Sequence, residues 1–67
     1  MPTDLDIYRS ASVLIEHHGN DAMFEAYKRA EALREKGDDQ GYAVWLRIAT
    51  AVATLREAVR MDDQALN

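Results

Sequence analysis

The chain has 67 residues, a mass of 7.6 kDa, a formal net charge of −4 and a sequence pI of about 4.9. This length allows one domain, which at this size hides only about 60% of the unfolded chain's surface. The absence of cysteine excludes disulfides and thiolate metal sites, and the acidic charge argues against a general nucleic-acid binder. No apolar run approaches the about 20 residues of a membrane-spanning helix.

The composition is typical of a folded protein, with 48% hydrophobic residues, 30% charged residues, three glycines and one proline. The N-terminal sequence MPTDLDIYRS is acidic and lacks the apolar segment of a signal peptide, so we expect a cytoplasmic protein. Apolar residues recur at helical spacing, which the stretches HHGND and KGDDQG interrupt. The sequence therefore predicts an all-α unit of three helices, with one domain over residues 1–61 and a polar tail over residues 62–67.

The first predicted helix covers Asp4–His18. Thr3 is its expected N-cap, and Asp6, three residues later, supplies an aspartate version of the capping box. Gly19 is expected to end the helix in a left-handed conformation. One face of this helix is apolar and consists of Leu5, Ile7, Tyr8, Ala11, Leu14 and Ile15.

The adjacent histidines at the end of this helix are the main candidates for a metal site or an acid–base pair. Successive side chains on a helix point about 100° apart, so His17 and His18 are poorly placed to ligate one ion. Partial protonation of an imidazole is favourable beside the free carbonyl groups of a helix C-terminus. We therefore interpret both histidines as helix-end residues. A contact with a partner and a metal site are the less favoured interpretations.

The second predicted helix covers Asp21–Lys36 and is capped by Asn20 or by Asp21 itself. Glu25 and Arg29 are expected to form a surface ion pair one turn apart. The predicted buried stripe is narrow and made mostly of small residues, namely Ala22, Met23, Ala26, Tyr27, Ala30 and Leu33. Small residues allow a close approach of neighbouring helices.

The third predicted helix starts near Asp39 and ends at Arg60 or Met61. At 1.5 Å per residue it is about 32 Å long, against about 22 Å for the first helix. The predicted seam repeats every three or four residues and consists of Trp45, Ile48, Val52, Leu55 and Val59. The opposite side lacks charge along Ala43, Thr50, Ala51, Thr54 and Ala58. Trp45 and Tyr42 are assigned to the core rather than to a ligand pocket.

Two shorter helices cannot cover so long a third helix, so its C-terminal half is expected to overhang and to meet another chain. The sequence therefore predicts a helical homodimer formed through the third helix. Phe24, off the buried stripe of the second helix, either contacts the preceding loop or is an exposed anchor. The predicted interface residues are Leu46, Ile48, Val52, Leu55, Val59 and Phe24.

The sequence contains no pattern typical of catalysis or cofactor binding. Its three glycines are isolated, so no glycine-rich phosphate loop is present. The serines of the first helix lie on the same helix as both histidines, which disfavours a serine–histidine–aspartate arrangement. We therefore predict no catalytic, cofactor-binding or metal-binding residues and no enzyme activity.

The succession DIYRSASVLIEHHGNDA, A-x-x-RAEAL and GDDQGYAVWLRIATAVATL resembles short uncharacterised all-helical proteins of alphaproteobacteria, a domain of unknown function. The resemblance covers residues 6–55 and rests on the motifs HG-x-DA and GD-x-x-G-x-x-x-W-x-x-I. The motif residues are Gly19, Asp21, Gly37, Asp38, Gly41 and Trp45, all of which are turn or core residues in the predicted fold. The resemblance implies a compact helical unit and transfers no active site to this chain.

The expected function is that of a non-enzymatic interaction or regulatory module that associates with itself, with neither nucleic acid nor membrane as a partner. One alternative is an acidic inhibitor of a basic protein, as in phage or defence systems. However, five of the twelve acidic residues fall at predicted helix starts, where they complement the helix dipole, namely Asp4, Asp6, Asp21, Asp38 and Asp39. A second alternative is a metal site or enzyme in which His17 and His18 meet their counterparts across a dimer axis.

Overall fold

The computed structural model describes the backbone of residues 2–65 and the side chains of residues 2–59. It contains α1 (Asp4–His18), a 3-10 turn (Gly19–Asp21), α2 (Ala22–Glu35) and α3 (Asp39–Ala65). No strand occurs within residues 2–65. The predicted all-α architecture of three helices is therefore confirmed.

The N-terminus of α1 has the predicted capping box. The Thr3 hydroxyl accepts a hydrogen bond from the Asp6 backbone N–H, and the Asp6 carboxylate accepts one from the Thr3 backbone N–H, both at 3.2 Å. At the other end, Gly19 has a φ of 54° as expected. Its ψ of −120° differs from that of a left-handed helical residue and leads the chain into the 3-10 turn.

The start of α2 differs from the prediction because the expected capping side chains are not used as caps. The Asp21 side chain makes no capping hydrogen bond, and the Asn20 side chain accepts a hydrogen bond from Arg56 instead. The 3-10 turn satisfies one first-turn N–H of α2, since the Ala22 N–H donates to the Gly19 carbonyl. A side-chain cap is therefore replaced by a backbone turn.

A short turn joins α2 to α3, and hydrogen bonds between nearby residues stabilise it. Gly37 has a φ of 81°, its N–H donates to the Arg34 carbonyl at 3.0 Å, and the Asp38 N–H donates to the Leu33 carbonyl at 2.9 Å. These two bonds form a Schellman motif, which satisfies the last carbonyls of a helix. The Asp38 carboxylate then accepts from the Gly41 N–H at 2.9 Å and caps α3.

The third helix is longer than predicted, since it extends to Ala65 rather than ending at Arg60 or Met61. Its 27 residues span about 40 Å. The backbone of the predicted polar tail is therefore helical as far as Ala65. The side chains of this tail, and Leu66 and Asn67 as a whole, lie outside the described residues.

The helices α2 and α3 pack antiparallel, and α1 packs against both of them. Leu33 near the end of α2 lies beside Gly41 near the start of α3, and Arg29 lies over the ring of Trp45. Alanines from all three helices permit close packing. The buried core consists of Ile7, Ala11, Leu14, Ala22, Ala26, Ala30, Ile48, Ala49, Ala51 and Val52.

Several sequence predictions about burial are wrong. Leu5 and Tyr8, expected on the apolar face of α1, are 58% and 41% exposed. Ala51, expected on the outer side of α3, is only 3% exposed. At about 100° per residue Ala49 and Ala51 flank the line from Ile48 to Val52, and both flanks are covered because two helices pack on α3. Tyr27, expected in the buried stripe, is 50% exposed because the buried line of α2 follows its alanines.

Candidate functional site

The two histidines lie in the last turn of α1, as predicted. His17 is exposed and His18 is half-buried, with ring centroids 6.4 Å apart and ring planes tilted by 53°. Among the described side chains, no group of three histidine, aspartate or glutamate residues is placed to hold a metal ion.

The six predicted interface residues do not form one surface. Ile48 and Val52 are buried in the core of the single chain, so they stabilise the fold and are not accessible to a partner. Leu46 and Leu55 are half-buried. Only Phe24 and Val59 are largely exposed, at 63% and 62%. The proposed self-association itself stays a prediction, now confined to the accessible residues.

The sequence left open whether Phe24 contacts the preceding loop or is exposed, and the structure shows an exposed side chain. Its ring lies on the outer surface of α2, with the Lys28 ammonium 5.7 Å from the ring centroid. Lys28 also donates a hydrogen bond to Glu25 at 3.2 Å, and this bond is the main cause of a lowered pKa of the Glu25 carboxyl. The side chains of Phe24 and Glu25 thus both contact the Lys28 ammonium group.

The end of the three-helix packing is marked by Arg56. Its guanidinium donates to the Gly19 carbonyl at 2.7 Å and to the Asn20 side-chain oxygen at 2.5 Å. The turn between α1 and α2 therefore lies level with Arg56. We call residues 57–65 the α3 extension, which continues for about 13 Å beyond this level. Its described side chains, Glu57, Ala58 and Val59, are exposed.

A second surface feature is a cleft of about 280 Å³ to which all three helices contribute. We call it the Trp45 cleft, and its lining residues are Arg9, Ser10, Val13, Leu14, Arg29 and Trp45. The Arg29 guanidinium carbon lies 5.1 Å from the centroid of the Trp45 ring, a cation–π contact. Trp45 therefore both packs against the core, as predicted, and lines a surface cleft.

The predicted ion pair between Glu25 and Arg29 is wrong. Glu25 pairs with Lys28, while Arg29 turns to the face of Trp45. Arg29 lies on α2 and Trp45 lies on α3, so only the tertiary structure brings the guanidinium to the aromatic ring. The Trp45 cleft is not evident from the sequence for the same reason, since Arg9 and Arg29 are 20 residues apart and share no motif.

A shallower depression of about 220 Å³ lies at the start of α3 and has balanced charge. It is lined by Asp39, Gln40, Ala43, Val44 and Arg47. The Arg47 guanidinium donates to the Asp4 carboxylate at 2.7 Å, so its charge is already matched. This depression contrasts with the Trp45 cleft, whose lining contains arginines and no acidic residue.

Comparison with known proteins adds no functional assignment. The chain matches no protein-family model, no curated protein and no solved structure. Among the helices of residues 2–65, none combines the length and apolar character needed to cross a membrane.

Proposed function

We propose that this protein is a non-enzymatic helical interaction module that forms a homodimer through the α3 extension. The observation that carries this proposal is the position of Arg56, whose bonds to Gly19 and Asn20 mark where α1 and α2 end against α3. Among the described residues, α1 ends and α2 begins at this turn, whereas the backbone of α3 continues to Ala65.

The length of the α3 extension favours a partner. A helix end of nine residues without tertiary packing is marginal in water, because propagation of a helix adds little stability per residue. The apolar spacing of Leu55 and Val59 continues the core seam of α3 onto the extension. Packing of this seam against a second chain would enlarge the small core that a 67-residue protein can form.

The charge order of the C-terminal sequence favours an antiparallel arrangement with a second copy. Two basic residues, Arg56 and Arg60, precede two acidic residues, Asp62 and Asp63. Antiparallel pairing brings the basic part of one chain opposite the acidic part of the other, whereas parallel pairing brings like charges together. Opposite charges across an interface select the pairing direction.

Light scattering on a sizing column across a dilution series tests the proposal. We expect a mass twice the 7.6 kDa of one chain for the natural sequence. Val59→Lys places a charge on the extension and should yield folded monomers. Leu5→Lys is the matched control, because Leu5 is 58% exposed on α1 away from the extension, and it should remain a dimer. A natural chain that is monomeric at every concentration would refute the proposal.

A further inference from the structure

The Trp45 cleft carries an excess of positive charge in an otherwise acidic protein. The chain has a net charge of −4, yet the cleft lining contains two arginines and no carboxylate. Within residues 2–59, the basic partners of the ion pairs are Lys28, Arg34 and Arg47. Among the described arginines, Arg9, Arg29 and Arg56 take part in no ion pair. Of these, Arg9 and Arg29 line the Trp45 cleft, whereas Arg56 is bonded to the turn between α1 and α2.

The contact of Arg29 with the Trp45 ring holds its guanidinium at the cleft. A guanidinium over an aromatic ring uses its face for the cation–π contact, while its N–H groups point outward in the guanidinium plane. These N–H groups match the two oxygens of a carboxylate. Trp45 thus restricts the rotation of Arg29 and reduces the entropy that a ligand would otherwise have to remove.

The remaining lining residues define what the body of a ligand must be. Val13, Leu14 and Trp45 supply an apolar wall, and Ser10 adds a hydroxyl that can donate a hydrogen bond. A fully hydrated inorganic anion would lose water against this wall without compensation. An organic anion with an apolar body fits better, because its charged end meets the arginines and its body covers the wall.

We propose that the Trp45 cleft binds a small organic carboxylate with an apolar body, through Arg9 and Arg29 at its charged end and through the wall of Val13, Leu14 and Trp45 along its body. This site lies on the three-helix unit and is independent of the α3 extension. Both arginines are exposed, so salt screens their attraction. For a ligand of about ten non-hydrogen atoms we expect a Kd on the order of 1 mM.

Cyclohexylacetate is a suitable probe because it combines a carboxylate with an aliphatic ring. Trp45 is the single tryptophan of the chain and reports binding by its fluorescence and by the NMR signal of its indole N–H. We expect saturable shifts of the indole signal and of the Arg29 side-chain N–H signal on titration. Cyclohexylethanol, the neutral counterpart, and inorganic phosphate should each bind at least about tenfold more weakly.

Substitutions locate the site. Arg29→Met and Arg9→Met keep an apolar stem and remove the charge, and each should weaken binding by about tenfold. Arg34→Met is the matched control, since Arg34 lies elsewhere on α2 and pairs with Glu31, and it should bind like the natural chain. Arg29→Lys retains the charge without the planar fork and should bind more weakly than the natural chain.

Three results would overturn the proposal. The first is binding of cyclohexylethanol as tight as that of cyclohexylacetate, which would show an apolar cleft without anion recognition. The second is equal binding of inorganic phosphate, which would show unspecific attraction to positive charge. The third is an absence of shifts at Trp45 and Arg29 in the natural chain. Circular dichroism of each variant separates a loss of binding from a loss of fold.

Discussion

The Arg56 guanidinium donates a hydrogen bond of 2.7 Å to the backbone carbonyl of Gly19, a residue 37 positions earlier in the chain. Gly19 ends α1 with a positive φ, and its carbonyl also accepts the Ala22 N–H at the entry to α2. The same guanidinium donates to the Asn20 side chain. One side chain of α3 therefore fixes the turn between the other two helices.

Replacement of Arg56 by methionine should lower the free energy of unfolding by about 1 kcal/mol, since hydrogen bonds from a half-buried charged group to the turn are lost. Urea denaturation followed by circular dichroism measures the change. Arg47→Met is the control, because Arg47 pairs with an exposed Asp4 carboxylate and should cost less than about 0.5 kcal/mol. Equal losses in the two variants would contradict a special role for Arg56.

Gly41 and Asp38 should show energetic coupling of about 1 kcal/mol. A Cβ atom added at Gly41 would lie 2.6 Å from an Asp38 carboxylate oxygen and 2.9 Å from the Leu33 Cδ1 atom. Gly41→Ala therefore displaces the Asp38 carboxylate that caps α3. The stability lost with this cap offsets the about 1 kcal/mol that alanine contributes to a helix relative to glycine.

A double-mutant cycle measures this coupling. In the Asp38→Ala background the cap is already absent, so Gly41→Ala should be more favourable there than in the natural chain by about 1 kcal/mol. The contact with Leu33 is present in both backgrounds and cancels. An identical effect of Gly41→Ala in the two backgrounds would show that the cap survives the added methyl group.

Ala51→Lys should destabilise the fold by more than about 3 kcal/mol, because it forces a charged side chain into a buried position. Ala43→Lys is the matched control on the same helix, where an exposed alanine should tolerate lysine within about 0.5 kcal/mol. Thermal unfolding distinguishes the two variants. Comparable stability of both would mean that the outer side of α3 at Ala51 faces solvent, as the sequence pattern alone suggests.

The Glu31 carboxylate accepts hydrogen bonds from the Arg34 guanidinium, and these bonds lower the pKa of Glu31 below 4.5. A carboxyl whose pKa is lower in the folded state stabilises that state above pH 4.5, and this contribution is lost as the pH falls through the folded pKa. An NMR titration of the side-chain carboxyl carbon should therefore give a midpoint below 4.5 for Glu31.

Arg34→Met should raise the Glu31 midpoint, since the hydrogen-bond donor that lowers the pKa of this carboxyl is removed. Lys28→Met is the control, because Lys28 bonds to Glu25 and should move only the midpoint of that residue. A Glu31 midpoint that stays low without Arg34 would show that another positive group stabilises the carboxylate.

The sequence by itself determined the helices and most of their ends. The capping box of Thr3 and Asp6, the positive φ at Gly19 and the start of α3 at Asp39 all agree with the prediction. Each of these features depends on hydrogen bonds between residues three to five positions apart, so the information lies within a short stretch of chain. The buried alanines of α2 follow from helical spacing in the same way.

The tertiary structure alone decided which side chains meet across helices. Glu25 lies one turn from Arg29, and the local rule predicts that they pair, yet the stacking of Arg29 on Trp45 prevails. Ala51 is buried because two helices cover α3, which the pattern of a single helix does not encode. The Trp45 cleft and the bond from Arg56 to Gly19 join residues far apart in sequence, whose distance is fixed only when the helices pack.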